Sequence, residues 1–195
     1  MPNTAVQAVE QNRTQSLLRN AALVIGASVL MGILGRFSVP LPFTPIPITL
    51  ANFGVLLIAL TLGSRRAAAA MLLYLAEGAM GMPVFSPAGP GGIAQILGPT
   101  GGYLMAYPIA AFAAGWIAER GQRNIVRMSV AAVIGEVLLF VGGIAWLLSL
   151  THVSLAQAVN WGVYPFGFGE IIKIMAAVAA STRLHRSSKL AGLLG

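Results

Sequence analysis

The stretch YPFGFGEIIK, Tyr164–Lys173, carries one acid and one base into the start of a long apolar run. Glu170 and Lys173 are three positions apart, so their side chains lie on one face if the run is helical. A charge at the centre of a membrane helix costs roughly 2.5–3.5 kcal/mol. Either the pair pins two helices together, or it binds a small ligand. Since charges inside membranes are usually functional, we expect a ligand.

As a ligand site, the pair offers complementary chemistry. Glu170 would accept hydrogen bonds from ligand N–H groups, and Lys173 would provide a compensating positive charge and a donor to a ligand oxygen or carboxylate. Nearby aromatic side chains either cover an apolar ring of the ligand or form a belt at the membrane interface. These aromatic residues are Trp161, Tyr164, Phe166 and Phe168.

The composition is that of an integral membrane protein. The 195 residues are 57% hydrophobic and only 9% charged, with a mean hydropathy of +0.82, whereas soluble domains carry about 25% charged residues. The length suits one domain. All five acidic residues are glutamates and there is no cysteine. This argues against disulfides, thiolate sites, aspartic dyads, Ser-His-Asp triads and clusters of metal ligands.

Six apolar runs, separated by short polar or Pro- and Gly-rich segments, predict an all-α protein with six transmembrane helices. The runs cover about 21–37, 49–63, 67–84, 100–118, 128–150 and 163–184. Several are shorter than the ~20 residues that a perpendicular helix needs, and flanking apolar residues supply the rest. The predicted division is a cytoplasmic N-terminal tail at 1–20, the membrane domain at 21–184 and a basic cytoplasmic tail at 185–195.

The distribution of positive charge predicts the orientation of these helices. Ten of the twelve Lys and Arg residues fall in the two tails and in the segments after the second and fourth runs, and the alternate segments hold only Arg36. Cytoplasmic loops carry the excess of Lys and Arg, so both termini are expected in the cytoplasm. The net charge of +7 then reflects orientation in the membrane rather than binding to nucleic acid.

Three uncharged segments fall on the outer side in this topology, and we expect them to be irregular loops that cap an outward-facing pocket. Residues 38–48 contain four prolines, which rule out a regular helix. Residues 85–99 are rich in Gly and Pro, and residues 151–162 form the third segment. Glu170 would lie roughly 10 Å below the outer surface. Glu136 is expected about 12 Å from the cytoplasmic side, away from the pocket, and Glu77 near mid-span. Either could be protonated or hydrogen-bonded between helices, and we assign a ligand role to neither.

Neither an ATPase nor a metalloenzyme is indicated. No lysine sits in the phosphate-binding pattern G-x-x-x-x-G-K-[ST], and His152 and His185 lack the spacing of a zinc hydrolase. We expect no catalytic residue, no cofactor and no metal site. If this chain takes part in ATP-driven transport, another subunit must hydrolyse the ATP.

Four stretches resemble the BioY family, the biotin-specific substrate-binding subunits of energy-coupling-factor (ECF) vitamin transporters. They are LPFTPIPITLANFGVLL from Leu41, AEGAMGMPVF from Ala76, LGPTGGYL from Leu97 and SLAQAVNWGVYPFGFGEIIKI from Ser154. The resemblance implies a six-helix subunit in a prokaryotic plasma membrane that captures biotin with high affinity. It also implies a transmembrane coupling subunit and two ATPase subunits as partners, and leaves a homo-oligomer open.

The resemblance further implies site residues. In the family, an acidic residue and a lysine three apart on the sixth helix contact biotin, and they correspond here to Glu170 and Lys173. The family often has Asp at the acidic position. Asn52 stands where Gln is common, and Ala22 and Gly26 match small residues that meet the coupling subunit. The residues implied between the third and fourth helices are Ser86, Gln95, Thr100 and Tyr103.

Three alternatives stay open at this point. The same scaffold could bind another small vitamin, Glu170 could act as the base of an intramembrane enzyme, or the chain could be a structural anchor without a ligand. Competition by thiamine or riboflavin would favour the first, turnover of a bound compound the second, and an empty pocket the third.

Overall fold

Helices dominate the computed structural model, which describes residues 3–191 without the side chains of residues 3–6, 8, 9 and 186–191. Eight helices and one two-stranded ribbon make up this part of the chain. In chain order they are α1 Asn3–Arg36, β1 Ser38–Val39, β2 Ile48–Thr49, α2 Ala51–Leu62, α3 Ser64–Ala79, α4 Gly92–Leu97, α5 Gly101–Glu119, α6 Ile125–Thr151, α7 Leu155–Gly162 and α8 Gly167–Ala191.

Within residues 3–191, three helical stretches are long and apolar enough to cross a membrane. They are Glu10–Arg36, Gly101–Glu119 and Ile125–Thr151. The pair Leu155–Gly162 and Gly167–His185, bent by 53°, makes a fourth if it is one span. Helix α2 has 12 residues and α3 has 16, or roughly 18 and 24 Å at 1.5 Å per residue. The fold is therefore a helical membrane fold with three to four clear spans.

Helix α1 is longer than the first apolar run. The N-terminal residues expected to form a separate tail are the first half of one helix that runs from Asn3 to Arg36. No glycine or proline interrupts the chain between Asn3 and Ile25, and Ala, Gln, Arg and Leu favour the helical state. At the other end, α8 continues to Ala191, beyond the predicted limit at 184. The last four residues of the predicted basic tail lie outside the described residues.

The Pro-rich segment forms no helix, as predicted. Its two ends pair as an antiparallel ribbon, with Ser38 opposite Thr49 and Val39 opposite Ile48. The loop between the strands packs against the protein, because the buried Thr44 hydroxyl donates a hydrogen bond of 2.8 Å to the Trp161 carbonyl. The ribbon is thus attached to the segment that precedes α8.

The prediction that residues 151–162 form an irregular loop is wrong, because α7 occupies most of that segment. The Ser154 hydroxyl accepts a hydrogen bond from the Gln157 amide at 3.3 Å. This is the N-cap arrangement that starts a helix, and the residues that follow are good helix formers. The segment 85–99 also contains a short helix, α4, rather than loop alone.

Helix α5 is central to the fold and packs against α2, α3 and α6. Glycines allow this close packing. A Cβ on Gly115 would lie 2.5 Å from the backbone nitrogen of Ser64, where α2 turns into α3. A Cβ on Gly102 would overlap the Trp146 side chain of α6. Since backbone at such a contact cannot rotate away, Gly115 sets how closely α5 approaches the α2–α3 corner.

We predict that Gly115→Ala destabilises the fold by about 1–3 kcal/mol, because the added methyl group forces α5 away from Ser64. The measurement is thermal unfolding of the purified protein in detergent, followed by circular dichroism. The matched control is Gly26→Ala, where the new Cβ meets nothing within 4 Å and helix propensity improves. Equal melting temperatures for the two variants would contradict the packing role.

Candidate ligand-binding site

A cavity lies where α2, α3, α5, α6 and α8 converge beneath the β1–β2 ribbon and α4. Its volume is about 50 Å³, against roughly 300–1,000 Å³ for typical ligand pockets. A ligand of vitamin size would therefore require the cavity to widen. Six of the seven residues predicted to bind a ligand line it: Asn52, Ser86, Gln95, Thr100, Tyr103 and Glu170.

The seventh residue, Lys173, is connected to the cavity wall through Glu170. Its ammonium group donates a hydrogen bond of 2.7 Å to Glu170 Oε1, and both residues are buried. The second carboxylate oxygen, Glu170 Oε2, is buried without a hydrogen-bond partner among the described residues. A buried acceptor without a partner is costly, and a ligand N–H group in the cavity would remove that cost.

Glu136 also belongs to this cluster, so the prediction that it lies away from the pocket is wrong. The Asn52 amide donates a hydrogen bond of 3.1 Å to Glu136 Oε1, and Glu136 interacts electrostatically with Glu170 and Lys173. The depth was misjudged because α6 begins at Ile125, three residues before the predicted start. Glu136 is thereby placed near the middle of the helix, opposite the cavity-lining end of α2.

Glu77 contacts α1 rather than the cavity described above. Its Oε2 accepts a hydrogen bond of 2.6 Å from the hydroxyl of Ser28, which is buried on α1. This contact joins α1 to α3 inside the helical bundle. Glu77 is therefore a candidate for a structural rather than a ligand-binding role.

Aromatic rings form much of the cavity wall, but most of them differ from the predicted ones. Of the four aromatics near Glu170 in the sequence, only Phe166 lines the cavity. Tyr164 and Phe168 are 74% and 80% exposed, and Trp161 contributes its carbonyl to the ribbon contact. Phe166 precedes Glu170 by four residues, about one helical turn, whereas the other three aromatic residues do not and are not among the residues that line the cavity.

Sequence analysis missed three rings, Tyr74, Tyr107 and Phe140, which lie on three other helices and join the predicted Tyr103. Tyr74 stacks on Tyr107 with their centroids 6.2 Å apart, and Tyr103 meets Phe140 edge to face at 6.3 Å. Tyr74, Tyr103, Tyr107 and Phe140 all line the cavity. The four-residue spacing of Tyr103 and Tyr107 places both on one helical face. That spacing was a usable signal, whereas the approach of Tyr74 and Phe140 depends on tertiary packing.

Polar contacts connect the cavity wall to the segments above it. The Tyr103 hydroxyl donates a hydrogen bond of 2.8 Å to the carbonyl of Gly162, at the end of α7. The Ser86 hydroxyl is 2.7 Å from that of Ser38 in β1. Gln95 Oε1 accepts a hydrogen bond from the Gly91 amide at 3.1 Å. These side chains position the covering segments as well as facing the cavity.

Helix α1 carries two pairs of small residues at four-residue spacing, Ser28 with Gly32 and Ala22 with Gly26, and the pairs face different surroundings. Ser28 and Gly32 are buried, and a Cβ on Gly32 would lie 3.2 Å from the Val84 side chain. Ala22 and Gly26 are exposed on the outside of the bundle. The second pair is therefore accessible to another helix, as a partner-binding surface requires.

Comparisons with a family profile and with individual proteins point to the same family. The profile of the BioY family matches residues 5–190. "Biotin transporter BioY2" of Lactococcus lactis subsp. cremoris is 32% identical over 165 residues, covering 85% of this chain and 88% of that protein. "Probable biotin transporter BioY" of Pyrococcus horikoshii is 41% identical over 141 residues, covering 72% and 82%.

A solved crystal structure has the same fold. It is described as the S-component for biotin from an ECF-type ABC transporter, and it superposes with a TM-score of 0.81 at 24% sequence identity. The match covers 88% of this chain and 93% of the other.

We predict that Lys173→Met destabilises the protein by about 3–5 kcal/mol, because it leaves buried carboxyl groups without their cation. The double variant Glu170→Gln/Lys173→Met removes both charges and should recover most of that loss. Thermal unfolding in detergent measures both, with Met175→Leu on the exposed face of α8 as the control. A double variant less stable than Lys173→Met would contradict a charge-paired cluster.

Proposed function

The chain belongs to the BioY family, and we propose that the cavity beside Glu170 and Lys173 is the site at which it captures biotin. The protein is a multi-pass protein of the plasma membrane and serves in biotin uptake as the substrate-specific subunit of its transporter. The observation that carries the proposed site is Glu170 Oε2, a buried acceptor without a partner in the wall of an aromatic cavity.

The groups of biotin complement those of the cavity. The ureido ring of biotin has two N–H donors and one carbonyl acceptor. Glu170 would accept a hydrogen bond from an N–H group of this ring. Lys173 would hold the Glu170 carboxylate in place and add positive charge near the ureido oxygen. The Glu136 carboxylate holds the Asn52 amide nitrogen, which leaves the Asn52 carbonyl oxygen as a further acceptor. The fused rings of biotin would pack against Tyr74, Tyr107 and Phe166.

The remaining polar residues of the site would contact the biotin from the side of the covering segments. In this proposal Ser86, Gln95 and Thr100 surround the ligand once the ribbon and α4 have moved outward to admit it. Tyr103 would contribute chiefly its ring, since its hydroxyl is already bonded to Gly162. The chain itself would carry no catalytic group, cofactor or metal ion.

The proposed transporter assigns energy supply to other subunits. Six crossings by α1, α2, α3, α5, α6 and α8 would place both termini in the cytoplasm, with α2 and α3 as short spans. This is supported by arginines at the α2–α3 corner and between α5 and α6, as cytoplasmic loops require. The exposed face of α1 around Ala22 and Gly26 would contact a transmembrane coupling subunit, which joins two ATPase subunits. A homo-oligomer is an alternative arrangement.

We predict that Glu170→Ala and Lys173→Ala each weaken biotin binding at least about tenfold, the size of one lost charge-assisted hydrogen bond. Isothermal titration calorimetry on the detergent-purified protein measures this, below the melting temperature of each variant. Met175→Ala, on the exposed face of the same helix, should bind as the wild type does. Unchanged affinity in both site variants would contradict the assignment, and displacement of biotin by excess thiamine or riboflavin would indicate a different vitamin.

We further predict that the chain supports biotin uptake only together with its energising subunits. Labelled biotin should accumulate in biotin-requiring cells that express the chain with a coupling subunit and two ATPase subunits. Cells in which the ATPase subunits carry a disabled phosphate-binding lysine should accumulate none. Equal uptake by cells that express this chain alone would contradict the division of labour.

A further inference from the structure

The cavity itself lacks a partner for a negatively charged ligand group. Glu170 is the one charged side chain among the described residues that line it, and the nearby Lys173 is already paired with that carboxylate. Biotin ends in a carboxylate at the far end of its valeryl chain. That group therefore needs a cation beyond the cavity, and the question is which residue the structure offers there.

A groove adjoins the cavity at Ser86. The groove has a volume of about 540 Å³, and Ser86 lines both it and the cavity. Two adjacent residues of α1 divide in the same way, because Gly35 lines the cavity and Arg36 lines the groove. Cavity and groove are thus neighbouring compartments that share Ser86 and are lined by adjacent residues of α1.

Arg36 is the cation placed to use this groove. It is exposed at the last position of α1, and the described residues give it no hydrogen-bond or ion-pair partner. The other arginines near helix ends follow α2 or α5, at the ends of those helices opposite Asn52 and Tyr103. Arg36 is therefore the basic residue at the cavity end of the bundle.

The lining of the groove suits a flexible acidic chain. Met82 and Phe85 line it with apolar side chains, and the glycines at positions 89, 91 and 92 line it without adding side chains. The Ser86 hydroxyl, 2.7 Å from that of Ser38, belongs to the residue that the two compartments share. Methylene groups could pass this point while the carboxylate reaches the guanidinium, which binds carboxylates in a two-pronged manner.

We propose that Arg36 is the carboxylate-recognition residue of this transporter subunit. The biotin rings occupy the cavity beside Glu170, the valeryl chain passes Ser86, and the carboxylate pairs with Arg36 in the groove. This role presupposes the biotin site proposed above. It makes the free carboxylate a determinant of specificity, so that esters and amides of biotin bind more weakly than the acid.

The test compares two ligands across matched variants of the full chain in detergent. Calorimetry measures the affinity of biotin and of biotin methyl ester, which keeps the rings and loses the charge. The variants are Arg36→Gln and Arg36→Lys, with Arg19→Gln on the same helix as the control. We expect wild type and Arg19→Gln to prefer biotin over the ester by about tenfold, as one charge-assisted bond would give. Arg36→Gln should bind both ligands equally, and Arg36→Lys should recover part of the preference.

Other outcomes distinguish a failure of the Arg36 assignment from a failure of the biotin site. If Arg36→Gln keeps the wild-type preference for the acid, or weakens both ligands by the same factor, Arg36 does not recognise the carboxylate. A wild-type protein that binds acid and ester equally would overturn the role as well. A wild-type protein that binds neither ligand would contradict the biotin site itself.

Discussion

Inside the apolar helical bundle, two carboxyl groups and one ammonium group share a single buried cluster. Lys173 is hydrogen-bonded to Glu170, and Asn52 is hydrogen-bonded to Glu136. Electrostatic interactions are strong where water is excluded, so each group constrains the position of the others. The cluster therefore joins α2, α6 and α8 by polar contacts at the depth where the remaining contacts between these helices are apolar.

The same cluster retains hydrogen-bond acceptors that a ligand could use. One oxygen of Glu136 and one of Glu170 are buried without a hydrogen-bond partner among the described residues, and Glu170 lines the aromatic cavity. The hydrogen bonds of Tyr103 to Gly162 and of Thr44 to Trp161 tie α5 and the ribbon to the α7–α8 corner. The contacts that would bind a ligand are thus connected to the contacts that hold the covering segments in place. A ligand that displaces a covering segment must disturb these hydrogen bonds.

Much of the site follows from the sequence because its polar residues stand out in apolar surroundings. The spacing of Glu170 and Lys173 predicts their contact, and the family resemblance points to the other residues that line the cavity. What the sequence could not show depends on tertiary geometry. Glu136 was misplaced because depth was counted from an assumed helix start, and Tyr74 and Phe140 reach the cavity only through packing. Helix α7 was missed although Ser154 is a good N-cap, because the surrounding segment looked like a connection between spans.

Helix α1 has a mechanical consequence. It extends without a break from Asn3 to Arg36, or roughly 50 Å at 1.5 Å per residue, which exceeds the ~30 Å apolar thickness of a bilayer. A tilt of the part inside the bilayer would therefore displace the end that extends beyond it. Because the sequence contains no cysteine, a single engineered thiol near that end could carry a fluorescent or spin probe. The motion of the membrane-embedded part during a transport cycle could then be followed from outside the membrane.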